Sequence, residues 1–311
     1  MFQSGEKNDG VDMEPLLSVV TIAYNHEAYI EKCIEGVLLQ KVNFPMEFII
    51  ADDCSTDGTL AICKSYADRY PELIRIVTSE SNVGAVLNEQ RAFMAARGKY
   101  IATCEGDDFW TDPDKLQKQV DFLESHPDFS VCFHRFRRLH LNDGSWESDH
   151  CENLFLDSTV AGIEVSMHQF MHQWVTQYLT MVFRKDCYDF DAYQRYKYYR
   201  DTHQIYHLLQ RGRCWLFAFD GGVYQMTGDG IYSTRSAFMK ENMTLAVDHE
   251  LWEINGDKCW KEMCGIVMQH MVDVFCDEKG VRSNLLGYSM VLPFYGTGLR
   301  KTLKNIWKII F

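Results

Sequence analysis

The segment Leu17-Ser-Val-Val-Thr-Ile-Ala-Tyr24 decides the fold: it is short, apolar and rich in β-branched residues, and it ends at the polar Asn25. These features predict a buried strand of a parallel sheet. Apolar residues then recur at helical spacing from Glu27 to Gln40, which predicts a helix. The next buried strand, Phe48-Ile-Ile-Ala51, completes a βαβ unit.

The alternation of strands and helices continues to about residue 104. Cap residues 55–57 predict a helix through Tyr70, and Gly98 ends a third helix that follows the loop Asn82-Val-Gly84. This order predicts an α/β fold with a mostly parallel, Rossmann-like sheet flanked by helices. The remaining predictions are strands at 74–77, 100–104, 176–184 and 215–219, a helix opened by Asp112 and Pro113, less regular structure beyond Arg135 with a loop at 141–157, and helices at 201–211 and 237–277.

Polar residues follow three of the predicted strands where each one ends. They are Tyr24-Asn25, Asp52-Asp53 and the run Glu105-Gly-Asp-Asp108. Because ligands bind at the carboxyl ends of strands in open α/β sheets, we expect these groups to converge on one edge. Neighbouring carboxylates repel one another unless a cation lies between them, so a divalent ion is predicted. The alternative is that Asp107 and Asp108 are only solvated turn residues.

Composition and missing motifs argue against several classes of function. The net charge of −13 argues against binding nucleic acid. There is no phosphate-binding Gly-x-x-x-x-Gly-Lys loop and no Gly-x-Gly-x-x-Gly after a strand. Eleven scattered cysteines without a Cys-x-x-Cys pair, and a polar start at 1–14, predict reduced thiols and a cytoplasmic protein. Since His168, His172 and Gln173 interrupt the most apolar central stretch, no membrane-spanning helix is expected.

Four motifs carry a resemblance to a known family. They are Ser18-Val-Val-Thr-Ile-Ala-Tyr-Asn25, Ile50-Ala-Asp-Asp-Cys-Ser-Thr-Asp-Gly-Thr59, Asn82-Val-Gly84 and Cys104-Glu-Gly-Asp-Asp-Phe-Trp110. In this order they resemble the inverting glycosyltransferases of family 2, which have the GT-A fold. The resemblance covers roughly the first 125 residues. It implies a nucleotide-sugar donor, with a UDP-sugar favoured, a saccharide or lipid-linked acceptor, and Mn²⁺ or Mg²⁺.

The resemblance also implies roles for individual residues. The nucleotide would be bound by residues at the ends of the first strands and by the acidic run: Ala23, Tyr24, Glu27, Asp52, Asp53, Asn82, Gly84, Glu105 and Asp107. Asp107 and Asp108 would be the candidate metal ligands, and the choice between them is open. The segment Tyr199-Arg-Asp-Thr202 resembles the one that supplies the catalytic base, which makes Asp201 the candidate. The alternative is that Asp201 only caps a helix.

Two departures from the family pattern bear on the diphosphate. Relatives often carry a basic residue shortly after Asn-x-Gly, where this chain has Val86, Leu87 and Asn88, and Arg91 is the nearest candidate to replace it. Relatives also place a His where this chain has Thr227. In one alternative, water or Asp229 would complete the coordination sphere of the metal. In the other, the loop would only close over the donor. With no basic residue at the phosphates, metal dependence would be stricter.

The resemblance divides the chain into three parts. Residues 1–14 would be flexible, 15–235 would form the GT-A-like domain, with a nucleotide-sugar half at 15–125 and an acceptor half at 126–235, and 236–311 would be helical. The pattern of residues 299–311 predicts a basic amphipathic helix. Such a helix fits peripheral contact with the inner face of a membrane, and it equally fits packing on this protein or on a partner subunit. A homo-oligomer is therefore an open alternative. Rival functions are a sugar-1-phosphate nucleotidyltransferase and a noncatalytic nucleotide-sugar or polysaccharide-binding protein.

Overall fold

The predicted strands assemble into one sheet. The structure is a computed structural model that describes residues 14–155, 159–228 and 235–279, the last eight by their backbone. The strands are β1 (Leu17–Ala23), β2 (Met46–Asp52), β3 (Ile74–Thr78), β4 (Tyr100–Glu105), β5 (Phe109–Trp110), β6 (Phe129–His140), β7 (Trp146–Ser148), β8 (Gly162–Val165), β9 (Val182–Arg184) and β10 (Arg213–Met226). Their order is β3-β2-β1-β4-β9-β6-β10-β5, with β7 paired to β6 and β8 to β10.

Helices alternate with these strands along the chain and follow the last of them. They are α1 (Ile30–Leu38), α2 (Thr59–Arg69), α3 (Ala85–Ala95), α4 (Lys115–Ser125), α5 (Met167–His172), α6 (Ala192–Arg195), α7 (Asp201–Leu209), α8 (Ala237–Asn255) and α9 (Lys258–Lys279). The mostly parallel α/β sheet predicted from the sequence is confirmed. Among the described helices, none combines the length and apolarity needed to cross a bilayer. The ten cysteines whose side chains are described are free thiols.

The first four strands in the order are all parallel, which brings their carboxyl ends to one edge. β1 pairs with β2 on one side and with β4 on the other. Two backbone hydrogen bonds tie the chain together just past these ends: Asp53 N donates to the Ala23 carbonyl at 2.9 Å, and Gly106 N donates to the Ile22 carbonyl at 3.0 Å. Since neighbouring strands are roughly 4.8 Å apart, the ends of β2 and β4 are about 10 Å apart.

The main core lies between this sheet and helices α1 and α4. Val19, Ile34 and Leu116 are wholly buried there. Helix α1 approaches β5 closely at Gly36, where a Cβ atom would lie 2.8 Å from the backbone nitrogen of Trp110. Only glycine permits this approach, which fixes β5, and the turn before it, against α1.

The structure corrects the prediction in the second half of the sheet. Beyond Arg135 we expected less regular structure, but β6 continues to His140 and forms a hairpin with β7 inside the predicted 141–157 loop. Strand β10 is also longer than predicted. The later part of β6 was missed because it carries Arg137 and Arg138 and is only half buried. The apolar pattern that predicts a strand is therefore weak there.

Helix α4 and the predicted strand at 176–184 also differ in detail. The helix begins at Lys115 with Asp114 as its N-cap, because the Asp112 carboxylate accepts the Asp114 amide at 2.9 Å and holds Pro113 in a turn. Only Val182–Arg184 of the predicted strand is β structure, and a short 3-10 helix precedes it.

Chain contacts divide the described residues into two units. The first contains residues up to 194 together with 200–227, and it holds the sheet. The second contains 195–199 and the described residues from 228 onward, where α8 and α9 pack through Leu245, Cys264 and Val267. The predictions made for residues 1–13 and 299–311 fall outside the described residues.

Candidate active site

Three carboxylates meet at the carboxyl end of β4. Glu105 is the last residue of the strand, and Asp107 and Asp108 lie in the turn to β5. One oxygen from each carboxylate lies within 4.8 Å of the others. Asp108 is 1% exposed; its Oδ1 accepts the Gln225 amide at 2.9 Å, and no described residue donates to its buried Oδ2. A buried carboxylate oxygen without a protein partner, beside two further carboxylates, fits a divalent cation.

The electrostatics of the cluster lead to the same conclusion. Burial raises the pKa of Glu105 well above its ordinary value, and the negative charges of Asp107 and then Asp201 raise it further. Burial also raises the pKa of Asp108, as do the charges of Asp107 and Glu105. A bound cation would favour the ionised forms and offset both effects.

Gly106 allows the acidic turn to pack directly against the end of β1. A Cβ atom at this position would lie 2.7 Å from His26 Nδ1 and 3.2 Å from the Ala23 Cβ. A side chain would therefore push the turn away from β1. The glycine places Ala23, a predicted nucleotide-binding residue, beside the carboxylate cluster.

Asp52 and Asp53 organise the loops at the end of β2. Asp53 is 2% exposed, and its two oxygens accept the amides of Val83 at 2.9 Å and Gly84 at 2.8 Å. Asp52 is wholly buried, and its Oδ2 accepts the Ser55 amide at 3.0 Å. Both carboxylates thus hold loops that border the strand ends, so contact with a nucleotide would be a further role beside a structural one.

The other predicted nucleotide-binding residues lie around these loops. Glu27 Oε2 accepts the Gly58 amide at 3.0 Å, which links the loop after β1 to the start of α2. Asn82 Oδ1 accepts the Gly84 amide at 3.0 Å, and Gly84 has the positive φ of 87° that favours glycine. Tyr24 is 42% exposed at the end of β1. The structure therefore gathers all the predicted nucleotide-binding residues at the adjoining ends of β1, β2 and β4 and in the loop before α3.

Asp201, the predicted base, lies within electrostatic range of the acidic cluster. It is the first residue of α7, and its Oδ1 accepts the Thr202 amide at 2.9 Å, while Arg200 is the N-cap. Its charge raises the pKa of Glu105, although the two residues are far apart in sequence. Burial raises the pKa of Asp201 itself. A carboxylate with a raised pKa is a stronger proton acceptor than an ordinary aspartate.

Two side chains at this site were missed by the sequence reasoning. Glu89 on α3 is buried beside the phenol of Tyr178, and burial raises its pKa to about 7, with the charge of Asp201 adding to the effect. Gln225 on β10 donates its backbone amide to Asp108 and its side-chain amide to the Asp107 carbonyl. No local pattern in the sequence marks Glu89, because it lies in the polar run Asn88-Glu89-Gln90 and only the fold buries that run.

Arg91 on α3 contacts the end of β2 and a residue of its own helix. Its Nη2 donates at 2.6 Å to both the Asp52 carbonyl and Asn88 Oδ1, and it lies 3.8 Å from Asp53 Oδ1. Through these contacts the guanidinium ties α3 to the end of β2. Thr227 follows β10 directly, and Asp229 falls outside the described residues.

Comparisons with known proteins identify the family of this chain. The model of glycosyl transferase family 2 matches residues 18–176, about half of the chain. A protein of Mycobacterium tuberculosis, Rv1520, is 48% identical over 133 residues, which are 43% of this chain and 38% of that protein. The putative teichuronic acid biosynthesis glycosyltransferase TuaG of Bacillus subtilis is 43% identical over 110 residues, or 35% of this chain and 42% of TuaG. The chain thus spans about two fifths of the length of these relatives.

Solved structures share the fold. Residues 1–349 of Staphylococcus aureus TarS in complex with UDP-GlcNAc superpose with a TM-score of 0.56 at 16% identity, covering 83% of this chain and 71% of that one. A likeness at this identity supports the fold alone. Together with the acidic turn after β4, it defines a GT-A-type glycosyltransferase fold. The chain belongs to glycosyl transferase family 2.

Proposed function

We propose that this protein transfers a sugar from a nucleoside-diphosphate sugar, with UDP as the favoured nucleotide, to a hydroxyl of a saccharide or lipid-linked acceptor, inverting the anomeric carbon. The observation that carries the proposal is the buried oxygen of Asp108 to which no described residue donates, clustered with Glu105 and Asp107 and within range of the charge of Asp201. The names of TuaG and of the TarS complex support a polysaccharide product and a UDP-sugar donor.

In the proposed reaction, Asp201 accepts the proton of the acceptor hydroxyl while the hydroxyl oxygen attacks the anomeric carbon. The bond from that carbon to the diphosphate oxygen breaks on the opposite side, so the configuration inverts. Glu105, Asp107 and Asp108 would hold Mn²⁺ or Mg²⁺, which when bound neutralises charge on the departing diphosphate. Asp53 and Asn82 hold the loop before α3 through their bonds to Gly84, and this loop would border the nucleotide.

The first test separates transfer from binding. Replacing Asp201→Asn should lower transfer by roughly 100- to 10,000-fold, because the proton acceptor is lost, while Kd for UDP in Mn²⁺ stays within about threefold. Transfer is measured as UDP released from UDP-sugars in the presence of an acceptor, and binding by calorimetry. Asp68→Asn, an exposed carboxylate on α2, is the matched control and should keep full activity.

Undiminished transfer by the Asp201→Asn variant would remove Asp201 from the role. If the wild-type protein binds UDP with Mn²⁺ but releases no UDP from any donor, the noncatalytic binding function replaces this proposal. Release of pyrophosphate from a nucleoside triphosphate and a sugar 1-phosphate would instead show a nucleotidyltransferase. Peripheral membrane contact through residues 299–311 and a homo-oligomer stay predictions.

A further inference from the structure

The hairpin of β6 and β7 presents an exposed aromatic side chain. Trp146 is 49% exposed, and the guanidinium carbon of Arg137 lies 4.6 Å from the centre of its ring. An indole of this size on a polar hairpin leaves a large apolar surface in water.

Strand register places this pair on the same side of the sheet as part of the active site. Gln225 of β10 is opposite Leu139 of β6, and Leu139 is opposite Trp146 of β7. Residues opposite one another, and residues two apart on a strand, point to the same side of a sheet, so Arg137 belongs to this set as well. The side chain of Gln225 reaches the Asp107 carbonyl, which shows that this side borders the acidic turn.

The distance suits a ligand that extends out of the active site. Two strand spacings separate Gln225 from Trp146, which is about 10 Å between their backbones. A short saccharide with one end at the cluster would therefore reach the Trp146 ring along Leu139.

The ion pairs of the arginines near Trp146 indicate which kind of saccharide would bind there. The neighbouring arginines are already bound by the protein, since Arg135 pairs with Asp149 at 3.1 Å and Arg138 with Glu147 at 3.2 Å. Within the described ranges, Arg137 has no carboxylate at ion-pair distance, although its charge acts at longer range on Asp220. Of these three arginines, Arg137 is thus the one without a carboxylate partner among the described residues. Its planar guanidinium can donate two parallel hydrogen bonds to a carboxylate, and its single positive charge matches the single negative charge of that group. A phosphate monoester carries nearly two negative charges.

We propose that Trp146 and Arg137 form an acceptor subsite for a carboxylate-bearing sugar ring. The C–H face of the ring would pack on the indole, and the carboxylate would accept hydrogen bonds from the guanidinium. The inference rests on the proposed transferase function, because it assigns the subsite to the acceptor, but the binding itself is measurable without catalysis.

The test is a ligand-observed NMR titration with three probes: methyl β-glucuronide, methyl β-glucoside and glucose 6-phosphate. The wild-type protein should bind the glucuronide at least tenfold more tightly than either other probe. Arg137→Gln should bind glucuronide and glucoside equally, and Trp146→Ala should lose both, whereas Trp146→Phe should keep the preference. Arg69→Gln is the matched control, because Arg69 lies 3.8 Å from the Tyr66 ring on α2, and it should behave as wild type.

Several results would overturn the subsite: equal binding of glucuronide and glucoside to the wild-type protein, tighter binding of glucose 6-phosphate, or an unchanged preference in Arg137→Gln. If Trp146→Ala fails to fold, as judged by its melting temperature, the Arg137→Gln result decides. Binding of UDP with Mn²⁺ is measured in the same samples. If the wild-type protein binds the glucuronide but does not bind UDP with Mn²⁺, that result would count against the transferase proposal but not against the subsite.

Discussion

The raised pKa of Glu89 predicts how the stability of the metal-free protein depends on pH. Burial moves this pKa from 4.5 to about 7, a difference of about 2.5 pH units. At 1.36 kcal/mol per unit, the ionised carboxylate lowers the free energy of unfolding by about 3 kcal/mol. Because the folded pKa is the higher one, the unfolded chain releases the proton first as pH rises. Stability is therefore lost between about pH 4.5 and pH 7, and the full loss is present above pH 7.

Glu89→Gln removes this titration. Relative to wild type, the variant should gain about 1 kcal/mol or less at pH 5 and about 3 kcal/mol at pH 8, so the difference between the two proteins should grow by roughly 2 kcal/mol. The measurement is urea unfolding at both pH values in EDTA, with Glu72→Gln, an exposed carboxylate, as the control. A variant that differs from wild type by the same amount at pH 5 and pH 8 would refute the argument, whatever the size of that difference.

Two further predictions concern the carboxylates of the site. Asp108→Asn should abolish the additional rise in melting temperature that Mn²⁺ gives to the UDP-bound protein, because the buried Oδ2 is replaced by a neutral group; an undiminished rise would place the ion elsewhere. Asp53→Asn should lower the free energy of unfolding by about 1–3 kcal/mol, since the charged acceptor of the Val83 and Gly84 amides is lost. Urea unfolding measures this change, and a loss below 0.5 kcal/mol, on the order of an ordinary surface substitution, would contradict it.

The sequence predicted the first half of the fold well because its signals were local. Val19 and Val20 belong to a short apolar run, and Asp53 comes immediately after another, so the strands and the polar positions at their ends could both be read directly. The end of β6 was missed since Arg137 and Arg138 interrupt the apolar pattern of a strand that packs only partly.

The site was predictable where its residues end a strand, and not where the fold alone brings them near. Glu105 and Asp108 belong to one short motif, and the structure places them within range of a shared ion. Gln225 and Glu89 reach the same place through β10 and α3, and no spacing in the sequence records that proximity. Long-range pairing of this kind has no local pattern.

The bonds from Gln225 to the acidic turn bear on how this enzyme family can be recombined. Exchange of the predicted nucleotide-sugar half (15–125) between relatives would place a junction near residue 125. Such a chimaera would keep Asp108 but receive β10 from a foreign chain, and with it a different partner for the turn. Grafts that carry β6, β9 and β10 together with the amino-terminal strands would preserve the shape of the turn, so the workable unit of exchange is larger than the motifs suggest.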